Sequence, residues 1–298
     1  MKRNQLLVLV LMLSIGTAFN LQAQNPMPNT DIYIVPLKVV GDKYTLGKPE
    51  NITKREGYDN QPAFMPDGSA LLYTAIKGIK NAEVYRYDFK TKLSKQLTNT
   101  PEDEFSPTPT PDGKYFSVVR VEKDSTQRLW KFPLPGGAPE LVFKDVKRIG
   151  YHCWADNTIL GLWILGDSMK VGDARMGMAL FVDTGIGRCI QAIPNDRALS
   201  YVKKLSKDHW EIMRFGLGAG KKSDIIKCLP ESEDYVWTSD GILLMGSQGK
   251  LYKFNPRKDK DWVMIADFKG TELENFYRIA ISKQNDKIAL VSFKGKKP

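Results

Sequence analysis

The side chains able to do chemistry in this chain are few. It has two histidines, His152 and His209, three cysteines, Cys153, Cys189 and Cys228, and short runs in which carboxylates neighbour aromatic rings. Those runs are Tyr58-Asp59, Glu102-Asp103-Glu104-Phe105, Tyr151-His152, Glu233-Asp234-Tyr235, and Glu272 and Glu274 ahead of Phe276-Tyr277. Carboxylates serve as general acid and base, and a pair about 5–10 Å apart across a cleft is what glycoside hydrolysis uses. Glu104, Asp234 and Glu274 are the candidates for such a pair. The aromatic residues could stack on a sugar ring or grip a peptide, and they could equally pack between elements of the fold. His152 is the better histidine candidate because it stands where an apolar strand begins, although a lone histidine is commonly a hydrogen-bonded structural residue. No cysteine pair has metal-ligand spacing, and no Asp-x-Asp-x-Asp loop offers oxygen ligands to calcium. No Gly-x-Ser-x-Gly nucleophile elbow is present. Gly216-Leu217-Gly218-Ala219-Gly220-Lys221-Lys222-Ser223 fails as a phosphate loop, since Phe215 stands where a glycine is needed and Lys222 where Ser or Thr is needed. No catalytic residue, cofactor or metal is assigned on these grounds.

The elements that must position these residues repeat. Pro107-Thr108-Pro109-Thr110-Pro111-Asp112-Gly113 has a weaker copy about 45 residues upstream, Pro62-Ala63-Phe64-Met65-Pro66-Asp67-Gly68. A period of that size marks an array of similar units. Each copy continues through an Asp-Gly turn, an apolar run such as Leu71-Leu72-Tyr73 or Phe116-Ser117-Val118-Val119, an alternating strand, a polar turn and a closing strand. That is the four-stranded blade of a propeller. Further copies start at Tyr151, at Val236 and at Tyr277, with Ala179–Asp183 read as the strand that follows Ile159–Trp163. Between the third and fifth copies only Trp210–Phe215 and Ile225–Leu229 read as strands. The last copy stops two strands short at Pro298; Asp31–Leu37 and Glu50–Thr53 can supply those strands from the other end of the chain and close the ring. The expectation is an all-β fold, a six-bladed β-propeller with four-stranded antiparallel blades, spanning residues 24–298 as one domain.

The proline, the Asp-Gly turn, Val84-Tyr85-Arg86-Tyr87-Asp88 and the terminal Leu97-Thr98 resemble the TolB-like (WD40-like) propeller repeat. The resemblance runs over essentially the whole chain after residue 23, and its motif is structural, so it implies a fold more than an activity. The family's namesake carries an α/β domain ahead of its propeller, which has no counterpart in the short stretch between residue 23 and the first strand, so its envelope role is not carried over. Some propeller lyases with similar repeats, the oligogalacturonate lyases among them, use a histidine-rich metal site in the channel. Two histidines cannot supply one.

Residues 1–23 read as a cleavable signal peptide: Lys2 and Arg3, an apolar run from Leu6 to Ile15, then Leu21-Gln22-Ala23. The run is shorter than the roughly 20 apolar residues that span a bilayer. No cysteine follows the cleavage point as a lipid anchor, so the expected location is periplasmic or secreted. The formal charge of +10 includes Lys2 and Arg3 and falls to +8 without them. For an exported protein that excess need not mean nucleic acid, and scattered lysines solvate turns.

The order of strands in a blade places the loop leading into each innermost strand, here called the inlet loop, on one face of the disc. The Asp-Gly turn and last hairpin then fall on the other face. Inlet loops carry Asp59, Glu102, Asp103, Glu104, Glu231, Glu233, Asp234, Glu272 and Glu274; last hairpins are assigned Lys90, Lys92, Lys95, Arg188, Lys221, Lys222, Arg257, Lys258 and Lys260. An acidic channel mouth opposite a basic face is therefore expected, unless the carboxylates merely cap turns. Candidate binding residues at that mouth are Tyr58, Asp59, Glu104, Phe105, Tyr151, His152, Asp234, Tyr235, Glu274 and Tyr277. The favoured reading is a monomeric, non-enzymatic binding propeller that holds a protein or peptide of the cell envelope. The alternative is a carbohydrate-active enzyme whose oligosaccharide substrate binds at the same mouth. The three cysteines each sit in an apolar strand and are expected as buried free thiols, with a Cys153–Cys189 bridge as the alternative.

Overall fold

Short apolar runs broken by Asp-Gly and similar turns become 25 strands in the computed structural model, which describes residues 27–78, 81–134 and 136–295. Among the described residues there is no helix, and none is long and apolar enough to cross a membrane. The signal-peptide expectation falls on residues 1–23, outside the described residues.

The strands form six antiparallel sheets around an axis. Blade one is Tyr58–Phe64, Ala70–Ile76, Ala82–Asp88 and Leu93–Gln96, from the axis outward. Blade two is Asp103–Pro109, Tyr115–Val121, Gln127–Pro133 and Glu140–Leu141. Blade three is Ile149–Trp154, Ile159–Ile164, Ser168–Asp173 and Met178–Thr184. Blade four is Ile186–Ala192, Ala198–Ser206, His209–Gly216 and Lys222–Lys227. Blade five is Tyr235–Trp237, Leu243–Ser247, Lys250–Phe254 and Val263–Asp267. Blade six joins both ends of the chain. Phe276–Ile281 and Lys287–Phe293 are completed by Thr30–Val40, with Glu50–Asn51 and Lys43–Leu46 paired outside it.

The expected closure is thus realised, with Thr30–Pro36 in continuous register against Phe293–Lys287. Six apolar clusters hold the ring, one between each pair of neighbouring blades. Every blade needs a neighbour to bury its two faces, and closing the circle gives each blade two.

Two readings of the strands need correction. Ala179–Asp183 lies in the outermost strand of blade three, because Ser168–Asp173 pairs with Ile159–Ile164 first. The mixed composition Ser-Met-Lys-Val-Gly-Asp hid that third strand. Blade four is complete: Ile186–Ala192 and Ala198–Ser206 precede the two strands that were legible. Gly216–Ser223 is the turn and start of that blade's last hairpin, as its composition indicated.

The outer strand of blade three is apolar and exposed. Met178, Leu180 and Phe181 stand in solvent there, and Met176 beside them. Edge strands in soluble proteins are usually interrupted by charge, and this one carries none between Arg175 and Asp183.

Candidate functional site

The six innermost strands run in the same direction along the axis, so equivalent positions form layers across the channel. One layer comprises Gln61, Ser106, Tyr151, Arg188, Asp234 and Arg278, one residue from each blade in turn. All six line a single channel cavity of about 360 Å³. Local backbone irregularity aims them there. Gln61 and Ser106 each precede a proline and each has φ of 54°, and strand register breaks at the same points, between Asn60 and Ala63 and between Phe105 and Thr108. Bulges of this kind re-aim side chains at functional positions. Register also shifts between Ile186 and Ile190 and between Phe276 and Arg278, on the strands that carry the two arginines.

Polar contacts cross-link the layer. Arg188 donates from Nε and Nη2 to the two carboxylate oxygens of Asp234, at 3.2 and 3.0 Å. Its Nη1 lies 2.8 Å from Glu233, whose other oxygen meets Lys204 at 3.1 Å. Arg278 reaches from blade six to the opposite blade three and donates from Nη2 to the Tyr151 hydroxyl at 2.7 Å. Between blades one and two, Gln61 Oε1 accepts from the Ser106 backbone N–H at 2.8 Å. Burial works against both guanidinium charges. The surrounding groups outweigh it, chiefly Asp234 for Arg188, and Tyr151 and Asp234 for Arg278, so both pKa values rise and both arginines stay charged.

The carboxylates therefore do not gather into an acidic mouth. Asp59 is fully buried off the channel, where Arg55 donates to it at 2.7 Å. Burial raises its pKa to about 6, against the pull of Arg55. Glu104 is also fully buried, between blades one and two, with Arg120 Nε at 3.0 Å and the Thr100 hydroxyl at 2.6 Å. Glu274 is exposed and accepts from the Gly270 backbone N–H at 3.1 Å, and Asp103 accepts from Ala82 N–H at 2.7 Å. These are turn-capping and blade-joining roles. Of the three carboxylates considered as acid or base, Asp234 alone lines the channel cavity, and Arg188 holds both its oxygens. Arg188 itself is a channel residue on the innermost strand of blade four, and its assignment to a basic outer hairpin was a consequence of missing that strand.

The aromatic candidates divide the same way. Tyr58 and Phe105 meet edge to face across the junction of blades one and two, with centroids 6.4 Å apart. Tyr277 stacks on Phe293 at 4.2 Å and receives a hydrogen bond from the Asn60 amide of blade one. Tyr235 lines the cavity wall but is itself fully buried, its hydroxyl donating to Ser200 Oγ of blade four at 2.8 Å. His152 repeats that arrangement one pair of blades earlier. Its Nε2 lies 2.6 Å from Ser117 Oγ, which also accepts from the Trp154 indole at 2.8 Å, just as Ser200 accepts from the Trp237 indole at 2.8 Å. His152 is thus the positional counterpart of a structural tyrosine. Burial lowers its pKa to about 3, which keeps the ring neutral at physiological pH. Tyr151 is the aromatic candidate that joins the cross-linked layer.

Gln61, Ser106 and Arg278 escaped the sequence reading. The signal that marks them is positional: Gln61, Ser106 and Tyr151 recur every 45 residues, and Asp234 and Arg278 are 44 apart. The three cysteines are free thiols, and burial pushes Cys153 up to about 11 and Cys228 to about 12. Among the described residues no three His, Cys, Asp or Glu side chains gather as a metal-binding set.

Glu104 gives a prediction in pH. Burial, reinforced by neighbouring Glu83, raises its pKa well above the usual carboxylate range. The folded state then holds a proton that the unfolded chain releases near the ordinary value of about 4.5, so stability falls as pH rises from there into the neutral range. Glu104→Gln mimics the protonated form and is expected to abolish that part of the decline. Between pH 5 and 8 the variant should gain roughly 2–5 °C in Tm relative to wild type. Parallel Tm–pH curves for the two proteins would contradict the assignment.

No protein-family model matches this sequence, and no curated protein matches it. Solved structures do. A protein assigned as TolB from Agrobacterium tumefaciens aligns with a TM-score of 0.68 at 14% identity, over 90% of this chain and 99% of its own. TolB from Acinetobacter baumannii aligns with a TM-score of 0.57 at 13% identity, over 90% of this chain and 65% of its own. An oligogalacturonate lyase in complex with manganese aligns with a TM-score of 0.58 at 14% identity, over 85% of this chain and 83% of its own. At such identities the likeness is one of fold: this chain is built like the propellers of TolB and of oligogalacturonate lyases.

Proposed function

We propose that this protein is an exported, non-enzymatic binding propeller of the cell envelope that holds a protein or peptide partner over the Asp-Gly turn end of its channel, toward which the cavity runs from the polar layer through Pro62–Phe64, Pro107–Pro109 and Ile279–Ile281. The observation that carries this reading is the state of the channel carboxylate. Asp234 is locked by both oxygens to Arg188, while Asp59 and Glu104 are sealed among the blades with arginines of their own. General acid–base chemistry needs a carboxylate within reach of a substrate proton, and that arrangement withholds it. What remains is a rigid, cross-linked polar layer, suited to recognition. The exposed apolar edge of blade three, which offers backbone hydrogen bonds and apolar contact to a partner strand, supports a protein partner.

The test is co-purification from envelope extracts on a tagged copy, with wild type compared against Tyr151→Ala. A specific protein recovered by wild type and lost with the variant, when both melt cooperatively, is the expected result. Recovery of the same proteins in equal amounts by both would sink the reading.

A second reading, a carbohydrate-active enzyme at the same mouth, rests on the likeness to oligogalacturonate lyases. Incubation with oligogalacturonate and manganese distinguishes it: the binding reading predicts no unsaturated product, and sustained ultraviolet-absorbing product would favour the enzyme.

A further inference from the structure

Arg188 and Arg278 stand in the same channel layer and differ in their partners. Arg188 is fully engaged by two carboxylates, Asp234 and Glu233. Arg278 has one hydrogen bond, to the Tyr151 hydroxyl, and its nearest carboxylate oxygen, on Asp234, is 3.9 Å away. Its Nε–H is buried without a hydrogen-bond partner. Ser106, 8% exposed and on the wall of the same cavity, likewise has a hydroxyl with no partner. Unpaired buried donors are costly, so a group that satisfies them gains affinity. The charges in and behind the layer are Arg188, Arg278 and Lys204 against Asp234 and Glu233, which leaves one positive charge uncompensated.

Resting on the reading that a partner is held at this mouth, we propose that the channel cavity receives one carboxylate group, accepted by Arg278 with the Ser106 hydroxyl. Two donors without acceptors and one surplus cation call for a ligand atom set that accepts twice and carries a single negative charge. A carboxylate meets both requirements, and a guanidinium holds it through two hydrogen bonds in one plane. The cavity, at about 360 Å³, is at the small end of ligand sites and admits the end of a chain, not a folded segment. The carboxylate can arrive as the C-terminus of a peptide or as a small free acid; the chemistry at Arg278 is the same.

The experiment is calorimetric titration of the mature protein with three probes: acetyl-Ala-Ala-Ala as the free acid, the same peptide as its C-terminal amide, and propionate. Expected is saturable binding of the free acid, at least tenfold weaker binding of the amide, and at least a tenfold loss with Arg278→Gln. If propionate binds as tightly as the peptide acid, the natural source is a free acid; if it binds far more weakly, the source is a chain terminus. Ser106→Gly is the second variant. It removes the hydroxyl at a φ of 54° that glycine adopts freely, and it is expected to cost threefold to tenfold even should Arg278→Gln fail to fold. Equal binding of acid and amide, unchanged binding in Ser106→Gly, or no binding of either acid at millimolar concentration overturns the proposal. Co-purification of a partner that survives in Arg278→Gln would remove the carboxylate assignment and leave the binding reading standing.

Discussion

A chain shortened to begin at Gly41 is expected to lose cooperative folding. The missing segment contains the third strand of blade six, which pairs from Thr30 to Pro36 with Phe293 to Lys287. Ile32 and Val35 are fully buried in it, and Tyr33, Ile34 and Leu37 nearly so. Burying side chains of this size is worth about 1.5–3 kcal/mol each, so the five together contribute roughly 10 kcal/mol, comparable to the whole net stability of a domain. The loss also uncovers Ile288–Val291 as an open sheet edge and removes one wall from two of the six inter-blade clusters. Circular dichroism on heating would show a broad, non-cooperative transition. Adding a peptide of residues 24–40 should restore the cooperative one. A truncated chain that melts sharply within a few degrees of the full protein would show that the ring does not depend on this closure. The single change Val35→Asp places a charge among Val236, Leu251 and Leu290, and is expected to cost about 4 kcal/mol or more.

Ser200→Ala is expected to be costly out of proportion to the atom removed. Ser200 is fully buried, and its hydroxyl oxygen accepts from the Tyr235 hydroxyl and the Trp237 indole N–H, both at 2.8 Å. It also donates to the Gln191 carbonyl at 3.3 Å. Deleting it strands two buried donors at once, at roughly 1–3 kcal/mol each, or about 5–15 °C in Tm. Tyr235→Phe removes only one donor and should cost less. In that background Ser200→Ala should cost correspondingly less too, since one stranded donor is already gone. Ser117→Ala, which strands the Trp154 indole and frees His152, should behave alike if His152 is the structural counterpart of Tyr235. Additive losses, or a Ser200→Ala protein as stable as wild type, would contradict the role given to these serines.

The repeat made the architecture legible because the Asp-Gly turn recurs with the apolar strand that follows it: Pro62–Tyr73 and Pro107–Val119 show the unit almost whole. The closure by Asp31–Leu37 was legible for the same reason, as an unpaired blade strand at the wrong end of the chain. Blade four was obscure because its innermost strand, Ile186-Gly187-Arg188-Cys189-Ile190-Gln191-Ala192, is followed at once by Ile193-Pro194-Asn195-Asp196 in place of an Asp-Gly turn and carries an arginine where alternation predicts an apolar residue. That arginine pairs with Asp234 and Glu233 across the channel layer, so the irregularity that hid the strand is the one that builds the layer. Side-chain direction was the other missing quantity. Asp59 and Tyr58 are neighbours on one strand, and Glu104 and Phe105 on the next; sequence proximity to the mouth could not tell that both carboxylates turn away to Arg55 and Arg120. A carboxylate in a strand beside an aromatic ring is equally compatible with a channel and with a blade interface until the pleat is known.

The claim that the Asp-Gly turn end of the channel is a recognition surface can be tested most directly by photo-crosslinking in the cell envelope, one face against the other. A photoreactive amino acid at Glu231 or Glu274 reports on the inlet face, and one at Asp112 or Lys114 on the Asp-Gly turn face. All four variants should be equally abundant. Adducts with one and the same envelope protein from both turn positions, and none from the inlet positions, is the predicted result. Adducts only from the inlet face, or equally from both faces, would contradict the account.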